Sequence, residues 1–157
     1  MERKEFLCEL ENRLNKNPQN VEEIHDLIIQ ELEKIEGHEL QKEEELSKMY
    51  NEYMSKFLLE CGISPKLKGY SYLIAAVELR RNLGIYSKIT KDIYPKIAKQ
   101  FNVPKIIRIE RGIRYAIKIA YDLKTDTWIE VFGDVFPKQP TNSTVIDILV
   151  KHIRDKF

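Results

Sequence analysis

The chain has 157 residues, 43% of them hydrophobic, and balances 26 Lys and Arg against 25 Asp and Glu. That length suits one domain with an appendage, and the apolar fraction supplies a core, which excludes wholesale disorder. Two cysteines, Cys8 and Cys61, build no disulfide framework, no apolar run approaches the roughly 20 residues of a membrane span, and the opening Met1-Glu2-Arg3-Lys4-Glu5 is no secretion signal, so a reduced, soluble, cytoplasmic protein is expected.

The near-zero net charge conceals a division. Residues 1–60 hold 8 basic and 16 acidic side chains, a balance of −8, and residues 61–157 hold 18 and 9, a balance of +9. The basic half is the one expected to face a polyanion. The acidic half reads as helix throughout. Phe6, Leu7, Leu10 and Leu14 mark a first helix that Asn17-Pro18 ends. Asn20 is positioned to cap a second, with Glu22 and Glu23 in its first turn and Ile24, Leu27, Ile28, Leu32 and Ile35 along one side, stopping near Gly37. A third carries Leu40, Leu46, Met49, Tyr50, Tyr53, Phe57 and Leu58 up to Cys61-Gly62, and its Glu43-Glu44-Glu45 run reads as a solvated face.

The second half is cut into shorter helices by proline and glycine. Tyr70 to Leu79 predicts a buried helix, and Thr90 a cap for the next one. Pro95 fits only the first turn of a helix or a kink. Asp126 to Phe132 fits a short helix or a strand, and Thr141-Asn142-Ser143 offers caps for a closing helix with Val145, Ile146, Leu149, Val150 and Ile153 inside. The fold class expected is all-α: a multi-helix bundle with a helix-turn-helix over residues 59–157, preceded by an acidic helical extension over residues 1–58.

The functional signal lies between them. Pro95 to Phe101, then Asn102-Val103-Pro104, then Lys105 to Tyr121 read as helix, turn and longer helix. Placed at about 100° per residue, Ile109, Ile113, Ala116, Ile117 and Ala120 share one stripe, while Arg108, Arg111, Arg114, Tyr115 and Lys118 spread from about 140° to 260° on the other side. Cations bind phosphates, arginine adds bidentate bonds to the O6 and N7 edge of guanine, and Glu110 beside this face suits a cytosine amino group. Lys99 and Lys105 extend the charge, and residues 88–118 hold 9 basic side chains against 2 acidic ones. A solvated charged face would give the same pattern, so periodicity alone leaves both readings open.

Residues 60–157 also resemble the DNA-binding effector domain of the master sporulation response regulator of endospore-forming bacteria. The matching residues are Gly62-Ile63, Lys68-Gly69-Tyr70, Tyr72-Leu73, Ile89-Thr90-Lys91, Tyr94-Pro95, Ile97-Ala98-Lys99 and Phe101-Asn102. Further on come Arg108, Glu110-Arg111, Ile113-Arg114, Ala116-Ile117, Phe132-Gly133 and Pro140-Thr141-Asn142-Ser143. The resemblance implies an all-α domain whose recognition helix enters the major groove of double-stranded DNA. It also implies base reading by Glu110 and Arg111, supporting contacts from Arg108 and Arg114, and head-to-tail pairing through the closing helix. The chain differs from the family pattern at Tyr115, where histidine is usual, at Lys118, where an acid or amide is usual, and at Gly112, where alanine stands. As a helix-interior glycine, Gly112 is expected to cost about 0.5–1 kcal/mol. The region corresponding to the family's RNA polymerase contact, residues 122–134, matches poorly.

The first 60 residues have neither the length nor the strand pattern of a phosphoacceptor receiver, and Asp26 is their only aspartate. As an extension they read as an oligomerisation element, a docking segment for another protein, or an addition to the core. His25, His38 and His152 show no metal-ligand spacing, Cys8 and Cys61 read as packed small side chains, and no nucleophile or phosphate-loop motif occurs. No enzyme activity, cofactor or metal is expected. The expected function is a sequence-specific DNA-binding transcriptional regulator, homo-oligomeric, with RNA polymerase or a sporulation regulator as further partners. The alternative is a helical interaction module or decoy that pairs with a host sporulation regulator.

Overall fold

The computed structural model describes residues 3–16 and 21–157, and among these it contains seven α-helices and no strand. Two compact units divide the chain, Met1–Lys48 and Met49–Phe157. The Asn17-Pro18 break and the Asn20 cap lie outside the described residues.

In the first unit, α1 spans Arg3–Lys16, and α2 begins at Val21 and runs to Glu60. The expected stop at Gly37 does not occur. A glycine inside a helix costs only about 1 kcal/mol, and strong helix formers (Glu33, Lys34, Glu36, Glu39, Leu40) surround this one. Glu43, Glu44 and Glu45 are exposed, as a solvated face requires. Cys8 is exposed instead of packed, because it points away from the half-buried side of α1 that holds Phe6 and Leu10.

The second unit starts with the last turns of α2, which bury Met54, Phe57 and Leu58. The helix ends where the sequence places Cys61-Gly62. Gly62 adopts φ +82°, its N–H donates to Leu59 O at 2.9 Å, and the Ile63 N–H donates to Leu58 O at 2.8 Å. That pair of bonds is a Schellman motif, in which a left-handed residue satisfies the last carbonyls of the helix. Cys61 is fully buried there, and burial, with Glu60 beside it, pushes its thiol up to about 12.

Helix α3 (Lys68–Leu83) is the centre of the unit and packs against α4, α5 and α7. Leu73, Ala75, Ala76 and Val77 are all buried, so α3 is covered on more than one side. Buried Arg80 ties its end to the rest: Nε donates to Asp147 Oδ1 at 2.7 Å, and Nη1 donates to the Ser87 carbonyl and to Ser87 Oγ. After it, Ile89–Ile93 form a single π-helical turn. Thr90 lies inside this turn and does not cap it. The Asp92 carboxylate does so, accepting the Lys88 N–H at 2.6 Å.

Helix α4 (Tyr94–Gln100) follows directly, with Pro95 in its first turn, where a missing N–H costs nothing. Helix α5 spans Ile106–Leu123, α6 spans Asp126–Phe132 and α7 spans Asn142–Lys156. The ambiguous 126–132 segment is therefore a helix. Thr125 decides it locally, its hydroxyl accepting the Trp128 N–H at 3.2 Å, and Trp128 stacks on Phe132 with 4.0 Å between ring centroids. Thr141 caps α7 in the same way, accepting from the Thr144 N–H at 3.2 Å. Among the described residues, no helix is long and apolar enough to cross a membrane.

Candidate nucleic-acid interface

A helix-turn-helix needs a sharp, rigid turn, and residues 101–105 supply one. Asn102 takes the left-handed conformation at φ +52°, which asparagine tolerates better than other non-glycine residues. The Val103 N–H then reaches Ala98 O at 2.8 Å, and the Asn102 N–H reaches Lys99 O at 3.3 Å. This second Schellman motif ends α4, and the chain bends at Pro104 before α5 begins. Lys105 stands at the N-cap of α5 with β-type backbone angles and no side-chain capping bond.

Packing and hydrogen bonds hold α5 from behind. Its stripe of Ile109, Ile113, Ala116, Ile117 and Ala120 has no exposure at all, matching the five residues its periodicity singles out. Gly112 meets Gly69 of α3 so closely that a Cβ on Gly69 would lie 2.0 Å from Gly112 O. The edge-to-face contact of Tyr72 with Phe101, 5.2 Å between centroids, braces the turn beside this crossing. From the other side, buried Asn142 at the start of α7 donates through Nδ2 to the Glu110 carbonyl and to the Tyr94 hydroxyl, each at 3.0 Å. Burial pushes the Tyr94 phenol upward, against the pull of the Asn142 hydrogen bond. Gln139 adds a bond from Nε2 to Arg114 O at 2.9 Å.

What remains outside is the charged side. Arg108, Arg111, Arg114, Tyr115 and Lys118 are all exposed, as are Lys99 and Lys105, and Glu110 is half-buried at the edge. The arginines and Lys118 differ in one respect. No carboxylate among the described residues sits within ion-pair distance of Arg108, Arg111 or Arg114, whereas Lys118 is paired with Asp122 one turn on. Three unneutralised guanidinium groups on consecutive turns repel one another, and an incoming polyanion would relieve that.

Two neighbours of this face escape a reading of α5 alone. Lys68, at the start of α3, shares a shallow groove with Arg108, Asn102 and Pro104. Asn142 sets the position of Glu110 through its backbone. Both come from other helices, so no periodicity within 95–121 points to them.

Gly112 also changes meaning. A Cβ there would lie 3.1 Å from Tyr72 Cδ2 and 3.7 Å from Gly69 Cα. The glycine pair is what lets α3 and α5 cross with their backbones nearly touching, so the helix-propensity cost is offset by close packing. Residues 54–153 match the model of the family described as the C-terminal part of the sporulation initiation factor Spo0A.

Proposed function

The chain belongs to the Spo0A C-terminal family, and on that premise we propose that its second unit binds double-stranded DNA, with α5 in the major groove, and regulates transcription. The observation that carries this reading is the division of α5 into a fully buried Ile/Ala stripe and an outward side with three arginines that have no ion partner among the described residues. Such a helix is held rigidly while its cations stay available, which is what phosphate and base contacts require. Arg111, at the middle of the outward side, is assigned the guanine contact and Glu110 the neighbouring base. Arg108, Arg114, Lys99 and Lys105 are assigned to the backbone, with Tyr115 and Lys118 at the far end. The role is regulatory and involves no catalysis.

The test is fluorescence anisotropy of the full chain against a duplex carrying the family's binding box and a scrambled duplex, at two salt concentrations. The box should be preferred, with log K falling by about 0.9 for each phosphate neutralised. Arg111→Ala should remove the preference and cost about 1–3 kcal/mol, and Lys118→Ala should cost less because Asp122 already occupies that cation. Equal affinity for both duplexes would refute the base-reading assignment. No binding at low salt would favour the interaction-module reading instead.

A further inference from the structure

Helix α2 carries large apolar side chains that the described residues leave exposed. Leu32 and Ile35 are about half exposed, and Ile28 and Leu46 nearly 40%. Together with Glu39 and Lys42 they recur at alternating steps of four and three residues, which confines all six to an arc of about 80° on the helix surface. That is the spacing of a coiled-coil seam. A bare seam of this kind marks a surface that another helix covers.

The charges within the seam say which helix. Glu39 and Lys42 are both exposed, and no ion pair involves either among the described residues. In a parallel, in-register pair Glu39 would face Glu39 and Lys42 would face Lys42, two like-charge layers. In an antiparallel pair centred between them, Glu39 faces Lys42 of the second copy twice over, and Ile35 faces Leu46 twice over. Sliding that antiparallel pair by one heptad sets Lys42 against Leu32 and Glu39 against Ile35, and the opposite slide sets Lys42 against Leu46. Either slide strands charge on apolar side chains. The centred antiparallel register pairs opposite charges with each other and apolar residues with each other.

We propose that α2 is a self-association helix: two copies of the chain pair antiparallel through Ile35, Glu39, Lys42 and Leu46, with Ile28 and Leu32 flanking. The interface is independent of the DNA-binding reading, since none of its residues lies on α4 or α5. Its rim, Glu36 and Glu43, is acidic, so association strengthens as salt screens these exposed charges.

Sedimentation equilibrium of the full chain in moderate salt should return the mass of two chains. Glu39→Lys and Lys42→Glu singly should each raise the dimer dissociation constant by about tenfold or more, because each creates two like-charge layers. The double exchange E39K/K42E should restore wild-type association, which a loss of folding would not do. For orientation, Ile35→Cys and Leu46→Cys variants in a Cys8→Ser background are mixed under oxidation. The disulfide joining position 35 of one copy to position 46 of the other should form in preference to one joining position 35 to itself. A monomer, an insensitive charge pair, failure of the double exchange, or cross-linking of position 35 to itself would each overturn the proposal.

Discussion

Gly69→Ala tests the crossing on which the outward side of α5 depends. The added Cβ would lie 2.0 Å from Gly112 O, 2.6 Å from Gly112 C and 3.0 Å from Ala116 Cβ. The first two are backbone atoms, so relief requires α5 to move away from α3; no rotamer change suffices. Overpacking of this kind costs about 1–3 kcal/mol, against which alanine regains at most about 1 kcal/mol of helix propensity. Because the atoms met are backbone, the upper end of that range applies, so the net loss should be near 2 kcal/mol, or a fall in Tm on the order of 10 °C for a unit of this size. Trp128, the sole tryptophan and 3% exposed, reports the unfolding of the second unit by fluorescence. Gly112→Ala is the matched control. Its Cβ meets the Tyr72 ring at 3.1 and 3.3 Å, and a ring edge can yield, so its Tm should stay within a few degrees of wild type. The displaced α5 should also weaken box binding in the Gly69 variant at temperatures where it remains folded. Wild-type stability for Gly69→Ala, or equal damage from both substitutions, would refute the close-crossing argument.

Asn142→Ala should cost about 1–3 kcal/mol, because it leaves the Glu110 carbonyl and the Tyr94 hydroxyl without their buried donor. It should lower box affinity while the salt slope of binding stays unchanged, since no phosphate contact is removed; a changed slope would contradict the positioning role. His152 makes stability depend on pH. Its Nε2 lies 2.6 Å from the Tyr53 hydroxyl, and burial first, then Lys156, holds its pKa below 6.5, while Glu130 and Asp155 pull the other way. The unfolded chain therefore takes up the proton more readily, so the contribution is fully present above pH 6.5 and is lost as pH falls through 6.5 toward the lower folded value. The Tm read from Trp128 should drop over that window, and His152→Gln should flatten the drop; an unaltered slope in the variant would assign it elsewhere.

Much of this was legible in one dimension. The α5 stripe follows from spacing alone, because a helix that buries one side must repeat its apolar residues near every 3.6 positions. The turn before it was legible from Asn102 and Pro104, and the close of α2 from Gly62, because backbone chemistry there is local. Gly37 misled for the same reason: glycine is a weak signal, and its low helix propensity is outweighed by the helix formers around it. The segment from Asp126 to Phe132 was ambiguous because seven residues do not separate a period of two from one of 3.6. A threonine hydroxyl and the burial of Trp128 and Phe132 decided it.

By itself, then, the sequence determined the all-helical class, the acidic and basic halves, and which residues of α5 turn inward, since each follows from composition or from period along one segment. How closely α3 and α5 cross, and what steadies Glu110, came from packing between helices. Those properties depend on pairs far apart in the chain, Gly69 with Gly112 and Asn142 with Glu110 and Tyr94. A one-dimensional pattern carries no distance between such residues; the packing of α3, α5 and α7 creates it.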